Sequence, residues 1–274
     1  MRVIRTIAVL IATVTLTACL NSTTIVKVKP DGSGTVEQTT LVNTAAMKGM
    51  MGNASGKQTG GPVINREDLE RTAERMGKGV TLVSAEPFKG ENGFEGTKAI
   101  FAFEDITLIQ ISQDPNIHPG MSGSTSGRTS TEPTADDPVK FTLTRGATTS
   151  TLTINYIDKA PSGDATPNAA GAGEMPDLTN PMVMNMIKTM FKGFKINIGL
   201  EVVGSIVKTN AEYVSGPRIT LLEMDVESLL ADEAKLKALQ GKIGPDVSLS
   251  EIKPLLKDIK GIKIDGPSIS VEVR

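Results

Sequence analysis

Apolar side chains recur at every second position in one stretch after another of this chain, with hairpin-length turns between them. This period of two constrains the fold more than any other feature. Alternation is under way in Ile25-Val26-Lys27-Val28-Lys29, and Pro30-Asp31-Gly32-Ser33-Gly34 is a turn in which Asp-Gly favours positive φ. Residues 35–42 then read as the returning strand. Residues 79–84 and 94–103 are strands around Gly90-Glu91-Asn92-Gly93, and Ile100, Phe101, Ala102 and Phe103 are apolar on both faces, as a central strand requires. Val139, Phe141 and Leu143 share a face, as do Leu152, Ile154 and Tyr156, with Lys, Thr and Asn opposite, which predicts a hairpin with one wet side. Further strands are predicted over residues 195–203, with Ile196, Ile198, Leu200 and Val202 inward, and over 205–213, 218–222 and 268–273.

Helical spacing interrupts this pattern in four places. Asn65 with Asp68 forms an N-cap signature ahead of Leu69, Ala73 and Met76, and Gly77 supplies the stop. A second helix runs from Pro181 to Gly193, a third from Asp225 to Gln240, and a fourth opens at Pro254 and stops at Gly261. The expectation is an α+β fold, a largely antiparallel twisted sheet or sheets with about four helices packed on one side. Residues 112–137 (Ser, Thr, Gly, Pro) and 158–177 (Ala, Gly, Pro) lack the apolar content needed to offset ordering entropy and read as flexible inserts. An isolated hairpin is marginal. Residues 138–274 are therefore expected to share one core with residues 25–111, two loosely coupled domains being the alternative.

The amino terminus carries an address. Met1-Arg2-Val3-Ile4-Arg5 is basic, residues 7–16 are apolar apart from threonines, and Leu16-Thr17-Ala18-Cys19 follows. That is the anatomy of a secretory signal, too short to span a bilayer. Its ending resembles the lipobox of bacterial lipoproteins, in which the Cys thiol carries diacylglycerol before cleavage. The resemblance implies a signal peptide over residues 1–18, lipidation at Cys19 and a tether over residues 19–24. It also implies membrane attachment through acyl chains, which anchor stably without any protein segment entering the bilayer. Cys19 is the chain's single Cys, and a thioether removes the liability of a free thiol in an oxidising compartment. Position 20 is Leu, not Asp, which by similarity to lipoprotein sorting implies the outer membrane where the cell has one.

Composition excludes several functions. One His and one Cys leave no set for a Cys/His zinc site, an internal disulfide or a Cys–His nucleophile pair. His118 lies within residue segment 112–137, a poor setting for triad chemistry. A formal charge of −2 and 3% aromatics, with no Trp, argue against nucleic acid as a partner. Asp31-Gly32-Ser33-Gly34 lacks the spaced carboxylates of a calcium loop, and no Gly-Lys-Ser/Thr opens a helix. Glu104-Asp105 and Asp136-Asp137 read as caps and loops. No catalytic residue, metal ligand or cofactor is nominated.

The sharpest remaining feature is a methionine stripe. Met182, Met186 and Met190 stand at i, i+4, i+8, with Val183, Ile187 and Phe191 beside them. Such a stripe serves as plain core against a sheet, as the adaptable wall of a groove for an apolar ligand, or as a thioether set for Cu(I). The branched and aromatic neighbours favour core or groove over metal. These six residues are the candidate ligand-binding wall.

Several segments together resemble the LppM-type domain of bacterial lipoproteins. They are the lipobox followed closely by a strand, Asp31-Gly32-Ser33-Gly34-Thr35-Val36, Phe94-Glu95-Gly96-Thr97-Lys98-Ala99-Ile100-Phe101, and Gly204-Ser205-Ile206-Val207-Lys208-Thr209-Asn210-Ala211 running into Gly216-Pro217-Arg218-Ile219-Thr220-Leu221. Leu221 or Leu222 stands where that family often places Trp. The resemblance implies an α+β domain on the outer face of a membrane, associated with binding glycolipid or phospholipid, and it carries no catalytic residues. The functional expectation is a non-enzymatic, lipid-anchored envelope protein binding an amphiphile or an envelope component. Its rivals are a structural or protein-interaction lipoprotein with no small ligand and, third, an envelope enzyme.

Overall fold

The computed structural model describes residues 20–43, 64–111, 139–155, 181–239 and 249–274. Residues 1–18, expected to be a signal peptide, Cys19, residues 112–137 with His118, Tyr156 and residues 158–177 lie outside the described residues. The strands are β1 Leu20–Val28, β2 Gly34–Asn43, β3 Thr81–Lys89, β4 Phe94–Phe103, β5 Gln110–Ile111, β6 Val139–Arg145, β7 Ser150–Asn155, β8 Lys195–Val202, β9 Ile206–Thr209, β10 Val214–Ser215, β11 Arg218–Asp225, β12 Ile262–Ile264 and β13 Ser268–Val273. The helices are α1 Arg66–Met76, α2 Pro181–Met190, α3 Val226–Ala231, α4 Glu233–Leu239 and α5 Leu249–Leu256, with a 3-10 turn at Ile106–Leu108. The chain is α+β and its sheets are predominantly antiparallel.

The larger sheet runs β10-β11-β8-β1-β2-β4-β3, with β12 beside β11, and the smaller runs β5-β6-β7-β13-β9. Among the described strands β1 and β8 are the parallel pair. The β1–β2 hairpin closes as its turn chemistry demands. Gly32 sits at φ +90, and the Asp31 carboxylate accepts from the Ser33 amide at 2.9 Å and hydroxyl at 2.8 Å. At Gly34 a Cβ would lie 2.0 Å from the Lys27 carbonyl oxygen, so only glycine fits.

Buried Val26, Val28, Val36, Phe101, Phe103, Leu200 and Val202 of the larger sheet join Val139, Phe141, Leu152, Ile154, Ile269, Val271 and Val273 of the smaller in one hydrophobic cluster. Each such side chain contributes about 1.5–3 kcal/mol on burial. The same cluster takes in Leu69, Ala73 and Met76 of α1, Leu239 of α4 and Leu256 of α5. A smaller cluster of Met184, Leu230 and Leu236 joins α2, α3 and α4. Asn210 extends β9 by imitating a peptide: its side chain accepts from the Ser270 amide at 2.7 Å and donates to the Ser268 carbonyl at 3.2 Å.

Four local expectations need correction. β1 begins at Leu20, not Ile25, so residues 20–24, read as tether, are strand: Leu20, Ser22 and Thr24 are buried, Leu20 pairs with β2, and Ser22 and Thr24 pair with both β2 and β8. The helix expected from Asp225 to Gln240 is broken at Asp232. There the amide donates to Leu229 O at 3.2 Å while the carboxylate accepts from the Lys235 amide at 3.0 Å, ending α3 and capping α4. Pro254 does not open α5 but lies inside it, near its carboxy-terminal end, where its missing N–H forfeits a single intrahelical bond. β4 is next to the edge of its sheet, not central, because β3 is the terminal strand. That edge is blunted by a bulge between Leu82 and Ser84 and by Pro87.

Candidate functional site

Register places several features at one end of the larger sheet. Asn21 pairs with Lys195, Leu20 with Val42, Asn43 with Phe94, and Lys195 with Asp225. The start of β1, the start of β8 and the end of β11 therefore coincide, and α2 enters there while α3 leaves. The junction is tied by the Val226 amide donating to Phe194 O at 3.1 Å, the Gly193 amide donating to Glu227 Oε2 at 3.2 Å, and Lys195 Nζ at 2.8 Å from Asp225 Oδ2. Gly193 is at φ +75, and a Cβ there would lie 2.8 Å from the Phe94 ring. Phe191 and Phe194 stack edge to face at 5.8 Å. Burial pushes the Asp225 carboxyl up, but hydrogen bonds from Lys195 and the Ser228 amide outweigh it and hold the group below its ordinary value.

Within α2 the nominated six residues divide. Ile187 and Phe191 pack, partly buried, against Met184, Leu230 and Leu236. Val183 is half-buried, and the Met190 side chain lies outside the description. Met182 and Met186 face outward, 81% and 58% exposed. The structure thus brings Ile187 and Phe191 together with Met184, which was not nominated, and leaves Met182 and Met186 on the open side. Met184, Ile187 and Phe191 at i, i+3, i+7 form as regular a stripe as the one chosen. Sequence spacing alone does not rank the two.

A second feature escaped the sequence reading. On the face of the larger sheet that carries Val26, two lower rows run across the strands in register. One is Ile264, Leu222, Ile198, Thr24, Gln38, Ala99, Ala85, and the other is Ile262, Met224, Ile196, Ser22, Thr40, Thr97, Pro87. Each is apolar on β12, β11 and β8 and turns polar at β1 and β2. Ser22, Thr24, Gln38 and Thr40 are nonetheless buried. Gln38, Thr40, Thr97 and Ala99 line a recess with Leu69 of α1. It has room for no more than about one water molecule, far below the size of a ligand pocket, so it encloses no acyl chain. The Thr40 hydroxyl is buried with no hydrogen-bond partner among the described residues. In an alternation pattern Ser, Thr and Gln read as the wet side, which is why this patch was missed.

The opposite face of the sheet carries charge that alternates from strand to strand: Glu86 on β3, Lys98 on β4, Glu37 on β2, Lys27 on β1, Glu201 on β8 and Arg218 on β11. Lys98 and Lys27 lie 2.9 and 3.1 Å from the two Glu37 oxygens, and Lys27 lies 4.0 Å from Glu201. Burial raises the Glu37 carboxyl, but the two lysines outweigh it and lower it overall, and the Glu37 hydrogen bond raises Lys98. Asp31 and Asp105 are lowered by the amides of Ser33 and Thr107, which their carboxylates cap. Each of these shifts has its cause in a turn, a cap or a cross-strand pair. Among the described residues no group of three His, Cys, Asp or Glu side chains is placed to hold a metal ion.

No family model and no curated protein matches the chain. One solved structure aligns with it, the NMR structure of the folded domain of LppM from Mycobacterium tuberculosis. It is 9% identical, with 93% of this chain and 90% of that one covered, at a TM-score of 0.36.

Proposed function

We propose that this chain is a non-enzymatic lipoprotein of the bacterial cell envelope, exported, cleaved ahead of Cys19 and held by acyl chains on that residue. Where the cell has an outer membrane, Leu20 directs it there. Its folded part engages an amphiphile, a lipid or glycolipid, or another envelope component. One observation carries the reading: the lipobox cysteine stands one residue ahead of β1, so the signal ends where the fold begins. A recess no larger than about one water molecule supports engagement at the surface rather than enclosure of a whole ligand.

A second reading, an interaction lipoprotein with no small ligand, draws support from apolar side chains left exposed on strands and their ends: Val83, Val203, Val207 and Val214. The test has two parts. Full-length protein made in a lipoprotein-processing bacterium should yield an amino-terminal peptide whose mass includes acyl chains, and Cys19→Ala should lose them. An unmodified Cys19 would overturn the proposal. Native mass spectrometry with solvent extraction then decides between the readings, since a co-purifying lipid of defined mass supports the first and an empty folded protein the second.

A further inference from the structure

We infer that the exposed methionine face of α2 is a second contact with the membrane that carries the anchor, seating the larger sheet with its β1-start end against the lipid surface. The inference rests on lipidation at Cys19. Leu20 is already paired with Val42 and only 3% exposed, so no residue intervenes between the acylated position and the folded sheet, one step along the chain spanning about 3.3–3.6 Å. With no slack, whatever surrounds Leu20 meets the headgroups. What surrounds it is the junction of Gly193, Phe194 and Lys195 and, through it, α2.

α2, tied to that end through Phe194, carries exposed large apolar side chains, as Val83, Leu108, Val203, Val207 and Val214 are exposed elsewhere. Met182 at 81% is the most exposed of the large hydrophobic residues described, Met186 is 58% exposed, and Phe88, in register with Gly96, Leu41 and Asn21, is 40% exposed one row from Leu20. The packed side of α2 is already served by Leu230 and Leu236, and the exposed Met182 and Met186 stand on another side of the helix. A ten-residue helix of this kind lies in the interfacial plane with its open face in the acyl boundary. Methionine, flexible and polarizable, suits that disordered medium. Lys192, exposed just beyond the helix, is placed to reach the headgroup layer. Val203 and Val207, also exposed, lie past the opposite end of β8, where the Val203 amide donates to Val28 O, and have no anchor near them.

The chain contains no Trp, so a single introduced Trp reports its own depth. Full-length acylated protein carrying Met186→Trp, with Met182→Trp as a second position, would be placed in phosphatidylethanolamine–phosphatidylglycerol vesicles with and without brominated acyl chains. Val207→Trp is the control. The expected result is blue-shifted emission quenched severalfold by bromine at 186 and 182, and no quenching at 207. Protein that is acylated and floats with the vesicles but shows unquenched Trp at both 186 and 182 overturns the docking face while leaving the anchor intact. Quenching at 207 as well overturns the upright seating. A Cys19 without lipid, with no flotation, overturns the lipoprotein reading and this inference with it.

Discussion

At the scale of single residues, Thr40 is the position where local chemistry and surroundings disagree most. Its side chain lies on the face that carries Val26 and Val36, among Ser22, Gln38 and Thr97, and its hydroxyl is buried without a partner among the described residues. An unsatisfied buried hydroxyl costs about 1–3 kcal/mol, while an apolar group of the same shape does not. Thr40→Val should therefore raise stability by about 1 kcal/mol, read as a higher denaturant midpoint at unchanged slope. A loss of similar size would show that the hydroxyl is satisfied by a group in the recess. The polar run from β1 into β2 was visible in the sequence, but its burial was not, because whether Ser and Thr on a strand meet water or protein is decided by what packs over them. Asn210 is the complementary case: its side chain replaces two backbone partners of β13, a role that depends on where β13 arrives.

At the scale of elements, the signals that held are those with a local mechanism. Asn65 caps α1, accepting from the Glu67 amide at 3.1 Å, and Gly77 ends the helix at φ +139. The strands expected over residues 94–103 and 268–273 have those bounds. Those that failed had two causes. Residues 20–24 became strand because of non-local partners, β2 along the whole segment and β8 from Asn21 on, whereas Asp232 broke a helix whose periodicity ran through it by local capping, with Leu229 before it and Lys235 after it. Asp225 shows how an element end is secured: its carboxylate accepts from the Ser228 amide at 3.2 Å and pairs with Lys195, fixing the start of α3 to the start of β8. The carboxyl is held below its ordinary value of 3.8. The unfolded chain therefore takes up a proton first as pH falls. This contribution is complete above the unfolded value and is lost as pH drops through the lower folded value. Asp225→Asn should lower stability at neutral pH and flatten the acid limb of stability as pH falls through and below the ordinary carboxylate value. An unchanged acid limb would mean that the pair does not form in solution.

At the scale of the whole molecule, both sheets are completed by strands far apart in sequence. β1 pairs with β8 from beyond residue 194, and β13, the last element, sits between β7 and β9. Removing residues 268–274 would leave β7 and β9 without their shared neighbour and take Ile269, Val271 and Val273, each about 1% exposed or less, out of the core. The expected outcome is loss of a single cooperative unfolding transition, and retention of one by the truncated chain would show that the two sheets fold separately.

The sequence by itself determined the class of fold, the faces of most strands, the caps of α1 and the candidate anchor at Cys19, because each follows from periodicity or from a motif read within a few residues. Only the tertiary structure decided that β1 and β8 are parallel neighbours, that Ser22, Thr24, Gln38 and Thr40 are buried, and that α2 turns Met184 inward and Met182 and Met186 outward. A helix with two apolar stripes has two equally good ways to lie, and the choice between them rests on Leu230 and Leu236, more than thirty residues away in the chain.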